Sequence, residues 1–224
     1  MTTTARTISG GFVYPECPRW REGRLWFSDQ HDDVVHAVGG DGARAQQFSV
    51  PGGPSGLGWT PNGDLLVVSM EERRLYRRRG EATSVHADLS PLHAFHSNDM
   101  VVDTSGRAYV GNIGFDFNAG ETPVTTNVAL VAADGAVSLA ASDLMCPNGS
   151  VITPDGKTLI IAESLANRLT AFSIDADGRL SNRRLFAALD GHVPDGLCLD
   201  AEGAVWAASP YAGVVLRVGA NGDI

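Results

Sequence analysis

The chain has 224 residues, 43% of them hydrophobic and 19% charged, with a formal net charge of −9 and a pI near 5.0. This composition is enough to bury a core and excludes a disordered chain, and the acidic balance argues against a nucleic-acid or anionic-membrane partner. The N-terminal MTTTARTISGG lacks the basic start and apolar centre of a signal peptide, and no run of about 18 apolar residues follows, so a cytoplasmic protein is expected.

In chain order, one pattern recurs: a Gly-containing turn followed by a short β-rich run. It stands at REGRLWFSD (21–29), TPNGDLLVVS (60–69), DTSGRAYVGN (103–112), TPDGKTLIIAES (153–164) and DAEGAVWAAS (200–209). The turn glycines are Gly23, Gly63, Gly106, Gly156 and Gly203, giving periods of 40, 43, 50 and 47 residues. Each run is too short for a helix and rich in Val, Ile, Leu, Trp or Tyr, which favours strands. Third strands follow in RRLYRR, NVALVAA, NRLTAFSID and GVVLRVG, and a fourth in RRLFAALD (183–190). Four strands per 40 to 50 residues is the pattern of a β-propeller blade, whereas a sandwich would not repeat one turn chemistry at one phase. An all-β propeller spanning 1–224 as a single domain of about five blades is therefore predicted. The best helical candidate, ADLSPLHAFH (87–96), is limited by proline to about a turn. The arginine-rich EERRLYRRRG (71–80) reads as a solvent-exposed strand.

Seven or eight residues before each turn glycine stand Glu16, Ser55, Asn98, Asn148 and Asp195. First strands of propeller blades line the central channel and start at one mouth, so residues of equal phase converge on the axis. Four of these five are carboxylates or amides. Without a cationic partner they would repel or stay poorly satisfied in a narrow funnel, and a divalent cation resolves this. Such hard oxygen donors match Ca²⁺ first and Mg²⁺ or Mn²⁺ next, with Zn²⁺ more usually bound by histidine or thiolate. The competing explanation is that Asn-Asp, Asn-Gly and Asp-Gly form turns that start strands; Glu16, not a turn former, favours the cation.

PECPRWREGRLWFSD, SNDMVVDTSGRAYVGN, CPNGSVITPDGKTLIIAES and PDGLCLDAEGAVWAAS, in this order along nearly the whole chain, resemble the senescence-marker-protein, regucalcin, gluconolactonase and luciferin-regenerating-enzyme family. The resemblance implies a six-bladed propeller, one catalytic divalent cation, commonly calcium, and hydrolysis of a small-molecule lactone. By position it implies Glu16, Asn148 and Asp195 as metal ligands and Asn98 as a further contact to metal or substrate. Two features depart from the family. His96 stands where many members have arginine, which weakens the case for sugar lactones. The chain stops at Ile224 without a fourth strand in repeat five or a sixth repeat. A fragment is expected, the alternative being that ARTISGG closes a ring of five.

On this reading Asp195 is the general base, because the amides of Asn98 and Asn148 cannot take a proton near neutrality. Asn98 and His96 would hold the substrate, and Asp116, in a loop GFDFNAGE (114–121) over the mouth, is a further substrate contact. His93 and His96 are expected to be scattered surface histidines rather than a zinc pair, His192 a loop residue near the mouth, and Glu163 structural or exposed. Cys17, Cys146 and Cys198 are expected to be free thiols, buried as small apolar residues in first strands. No G-x-S-x-G elbow, Cys-His setting or G-x-x-x-x-G-K loop occurs. Two rivals remain: a non-catalytic binding scaffold with a structural metal, and a hydrolase of aryl esters or organophosphates.

Overall fold

The five turn glycines hold φ between +71° and +85°, a region that only glycine enters without steric cost. They close the hairpins from which the fold is assembled. The computed structural model describes residues 6–224. It contains nineteen strands and three single-turn 3₁₀ helices; among the described residues there is no α-helix, and no helix is long and apolar enough to cross a membrane.

The strands form five antiparallel sheets arranged as a β-propeller. Blade one is β1 (Pro15–Arg21), β2 (Arg24–Asp29), β3 (Val34–Gly39) and β4 (Arg44–Ser49), paired in that order. Blade two is β5 (Pro54–Trp59), β6 (Leu65–Ser69), β7 (Arg74–Arg79) and β8 (Ala82–Asp88). Blade three is β9 (Ser97–Val102), β10 (Ala108–Asn112), β11 (Thr126–Val131) and β12 (Val137–Leu144). Blade four is β13 (Pro147–Ile152), β14 (Thr158–Glu163), β15 (Arg168–Ile174) and β16 (Leu180–Ala188). Blade five has three strands, β17 (Leu197–Leu199), β18 (Val205–Ser209) and β19 (Val214–Val218). Of ARTISGG, Ala5 lies outside the described residues, and residues 6–11 form no strand.

Second strands are packed on both faces by neighbouring blades, which is why β6 reads as the unbroken LLVVS, all buried. Outer strands are different: most of β16 is exposed. Apolar clusters stitch blades one to two (Val35, Leu57, Val67), two to three (Leu66, Met100, Val110), three to four (Tyr109, Leu144, Ile161) and four to five (Ile160, Leu169, Val205). No such cluster of the described residues joins blade five to blade one. There, Trp20 and Val215 are 65% and 60% exposed.

Two local expectations need correction, and a third is resolved. The arginines of β7 are not simply solvated: Arg77 and Arg79 both pair with Asp64, and the Arg78 guanidinium lies 4.2 Å from the Phe48 ring centroid. Of the two expectations for Glu163, structural or exposed, the structure shows the first, with the side chain fully buried. Its carboxylate accepts from Arg168, Thr170 and the Met145 backbone N–H, so it anchors the turn before Asn148. Cys198 is exposed and Cys146 half-buried; only Cys17 is a buried thiol.

Candidate active site at the channel mouth

Inner strands approach so closely at the axis that some positions have no room for a side chain. A Cβ on Gly149 would lie 2.4 Å from the Asp195 carbonyl oxygen, and one on Gly56 would lie 2.5 Å from the Met100 nitrogen. Gly149 N–H donates to the Asp195 carbonyl at 3.1 Å, while Asp195 N–H donates to Ala208 at 2.9 Å. The backbone of Asp195 is thus pinned from both sides, and Asn148 stands beside it. The Asn148 Nδ2 donates to Ser164 Oγ at 3.3 Å. Ser164 in turn donates to the Pro194 carbonyl at 2.7 Å. The Asn98 Nδ2 donates to the Pro147 carbonyl at 3.3 Å. Each amide therefore spends its nitrogen on a neighbour, which leaves a carbonyl oxygen as the group it can offer a cation.

Electrostatics single out two carboxyls. Burial, then the Asp195 charge, pushes the Glu16 carboxyl up to about 7. Burial, then the Asp99 charge, raises Asp195 as well. A basic group does enter the channel, which composition alone did not reveal: Arg19 meets Asp99 at 2.7 Å and also donates to the carbonyls of Leu57 and Met100. Its charge is committed there. Tyr14 feels both Glu16 and Asp195, which raise its phenol above the ordinary value after burial itself. Blade one and blade five thus bring two carboxylates into mutual range with no basic partner of their own.

The SMP-30/gluconolactonase/LRE-like region matches residues 14–224. The chain belongs to this family. A 6-deoxy-6-sulfogluconolactonase from Pseudomonas putida is 28% identical over 221 residues, covering 95% of this chain and 74% of that protein. Among solved structures, the family's luciferin-regenerating enzyme superposes with a TM-score of 0.82 at 19% identity, covering 96% of this chain and 75% of that one. A calcium-binding regucalcin from Agrobacterium tumefaciens superposes with a TM-score of 0.79 at 25% identity, covering 94% and 72%.

Within this SMP-30/gluconolactonase/LRE-like propeller, a cavity of about 350 Å³ opens at the mouth, and Asn148, Asp195 and His96 line it. Glu16 does not. It lines a separate groove on blade one and feels the Asp195 charge. Asn98 is buried at 8% exposure. Of the 114–121 loop, Phe115, Phe117 and Asn118 line the cavity, while Asp116 turns back on the loop: its Oδ1 accepts from Ala119 N–H. His192 is half-buried and does not line the cavity. Asp99 and Arg19 were missed by sequence reasoning, although Asp99 adjoins Asn98 in the SNDMVV run. A second oxygen-nitrogen cluster, Asp29, Asp32 and His36, lies on blade one. Both Asp29 oxygens accept from the Val13 N–H, and Oδ1 also from Tyr14, which gives this carboxylate a structural task of its own.

His93 is not a surface histidine. It is fully buried, with Nδ1 2.8 Å from Ser97 Oγ, and burial holds its pKa down at about 4. The unfolded chain protonates this imidazole as pH falls through about 6.5, while the folded chain resists until about 4. Stability present above pH 6.5 is therefore lost between those values, by about 3 kcal/mol. Urea unfolding at pH 7, 5 and 4 should show that slope in the parent and its loss in His93→Gln; equal slopes would clear His93 of the effect.

Proposed function

We propose that this protein is a divalent-cation-dependent lactonase acting at the channel mouth of a single propeller domain. The observation that carries the reading is the pair Glu16 and Asp195, two half-buried carboxyls from different blades, both raised above the usual carboxylate range first by burial, with the Asp195 charge adding to the rise at Glu16, and neither ion-paired among the described residues. Together with the carbonyl oxygen of Asn148 they make a hard oxygen donor set suited to Ca²⁺, and the P. putida relative bears a lactonase name. A ring of the six-bladed type fits the exposed apolar sides of blades one and five.

A cation held there supplies Lewis acidity toward the lactone carbonyl and acidifies water. Asp195 takes the water proton on its carboxylate. Asn148 stands beside Asp195 and offers its carbonyl oxygen, its nitrogen being taken up by Ser164. Asn98 and His96 orient the substrate, His96 as a neutral imidazole because burial lowers its pKa.

Ring opening of δ-valerolactone, followed by acid release, tests the reading. Turnover should vanish on chelation and return with Ca²⁺, at one ion per chain by elemental analysis. Turnover unaffected by chelator in a protein retaining no ion would overturn it.

A further inference from the structure

The walls of the mouth cavity carry information about the substrate that the carboxylates at its base do not. Phe117, Leu165 and Tyr211 line it and are 64%, 41% and 82% exposed. These are large apolar side chains left in water around one opening, the arrangement expected of a binding surface rather than of scattered exposure. Phe115 lies beneath Phe117, their ring centroids 6.5 Å apart, and Phe95 stacks on His96 at 4.0 Å with the rings nearly parallel.

The polar side chains of the same cavity are largely committed to the protein. Ser164 bonds to Asn148 and Pro194, and Gln30 donates to Ser55. Its fixed charges are negative, from Glu71 and Asp195, and among the described residues no arginine or lysine lines it. A phosphate, sulfonate or carboxylate on the substituent would find no guanidinium fork or ammonium along the walls. The hydroxyls of a sugar ring would gain few free partners, and losing water without replacement is costly.

We infer that the mouth selects lactones bearing an uncharged apolar substituent, alkyl or aryl, over sugar lactones and anionic lactones. This rests on the lactonase reading. The lactone carbonyl sits toward Asp195, and the substituent lies along Phe117 and Leu165. A bare lactone ring leaves part of a cavity of about 350 Å³ unfilled, so each added methylene should raise kcat/KM about fourfold until the space is taken.

The test uses the calcium-loaded protein and a δ-lactone series from δ-valerolactone through δ-hexalactone to δ-decalactone, with dihydrocoumarin, glucono-δ-lactone and 6-phosphoglucono-δ-lactone. The expected order is a rise along the alkyl series, high turnover of dihydrocoumarin, and the slowest turnover for the phosphorylated lactone. Phe117→Ser with Leu165→Ser, both at exposed positions, should flatten the alkyl series. A flat parental series, a series unchanged in the double variant, or a tenfold preference for glucono-δ-lactone would each overturn the inference. If no lactone is opened, the lactonase reading fails separately. Binding of the matching δ-lactams, which resist hydrolysis, then decides the apolar subsite: Kd falling with chain length supports it, and Kd independent of chain length removes it.

Discussion

Asp195→Asn should lower lactone turnover by about a thousandfold while leaving the protein folded and still able to take up calcium. The amide keeps an oxygen donor at the position but cannot accept a proton. Asp195→Ala should lose both properties. Elemental analysis alongside kcat separates the two roles, and circular dichroism confirms the fold. The backbone bonds that pin residue 195, to Gly149 and Ala208, do not involve its side chain, so both variants should keep the strand in place. Near-parental turnover in Asp195→Asn would remove Asp195 as the base.

The second large effect concerns stability. Arg19 joins three blades: it rises from β1, donates to the Leu57 carbonyl in β5, and meets Asp99 and the Met100 carbonyl in β9. Asp99 is 2% exposed. Arg19→Ala would leave that carboxylate buried and unpaired, at a cost of about 3–5 kcal/mol. Arg19→Ala with Asp99→Asn should recover part of the loss, because the stranded charge is gone. Chemical denaturation of the parent, the single and the double variant makes the measurement. A single variant within about 1 kcal/mol of the parent would show that water reaches Asp99 freely.

The repeat was legible because its signal is local. Gly63 or Gly203 reports a hairpin through its own φ, and the LLVVS and LIIAE runs report strands through their own composition. That Asn148 and Asp195 share one cavity was legible because equal phase in a repeat means convergence in space. Arg19 was not, since its partner Asp99 is 80 residues away and nothing local marks the pair. His93 misled for a related reason. Proline and polar neighbours describe a loop, but the loop packs beneath blade three and Leu89 beside it is fully buried. The aromatic walls were illegible too: Phe117 and Tyr211 stand in the connections between second and third strands of blades three and five, where loop length and composition vary, Phe95 comes from the connection between blades two and three, and only the assembled mouth brings them together.

Packing among the described residues runs from each blade to the next in chain order, and no apolar cluster joins the first blade to the fifth. Glu16 and Asp195 stand on those two blades. An ion gripped by both would act as a clasp between blades that share no apolar seam, and amide exchange in β1 and β18 should slow together when it closes.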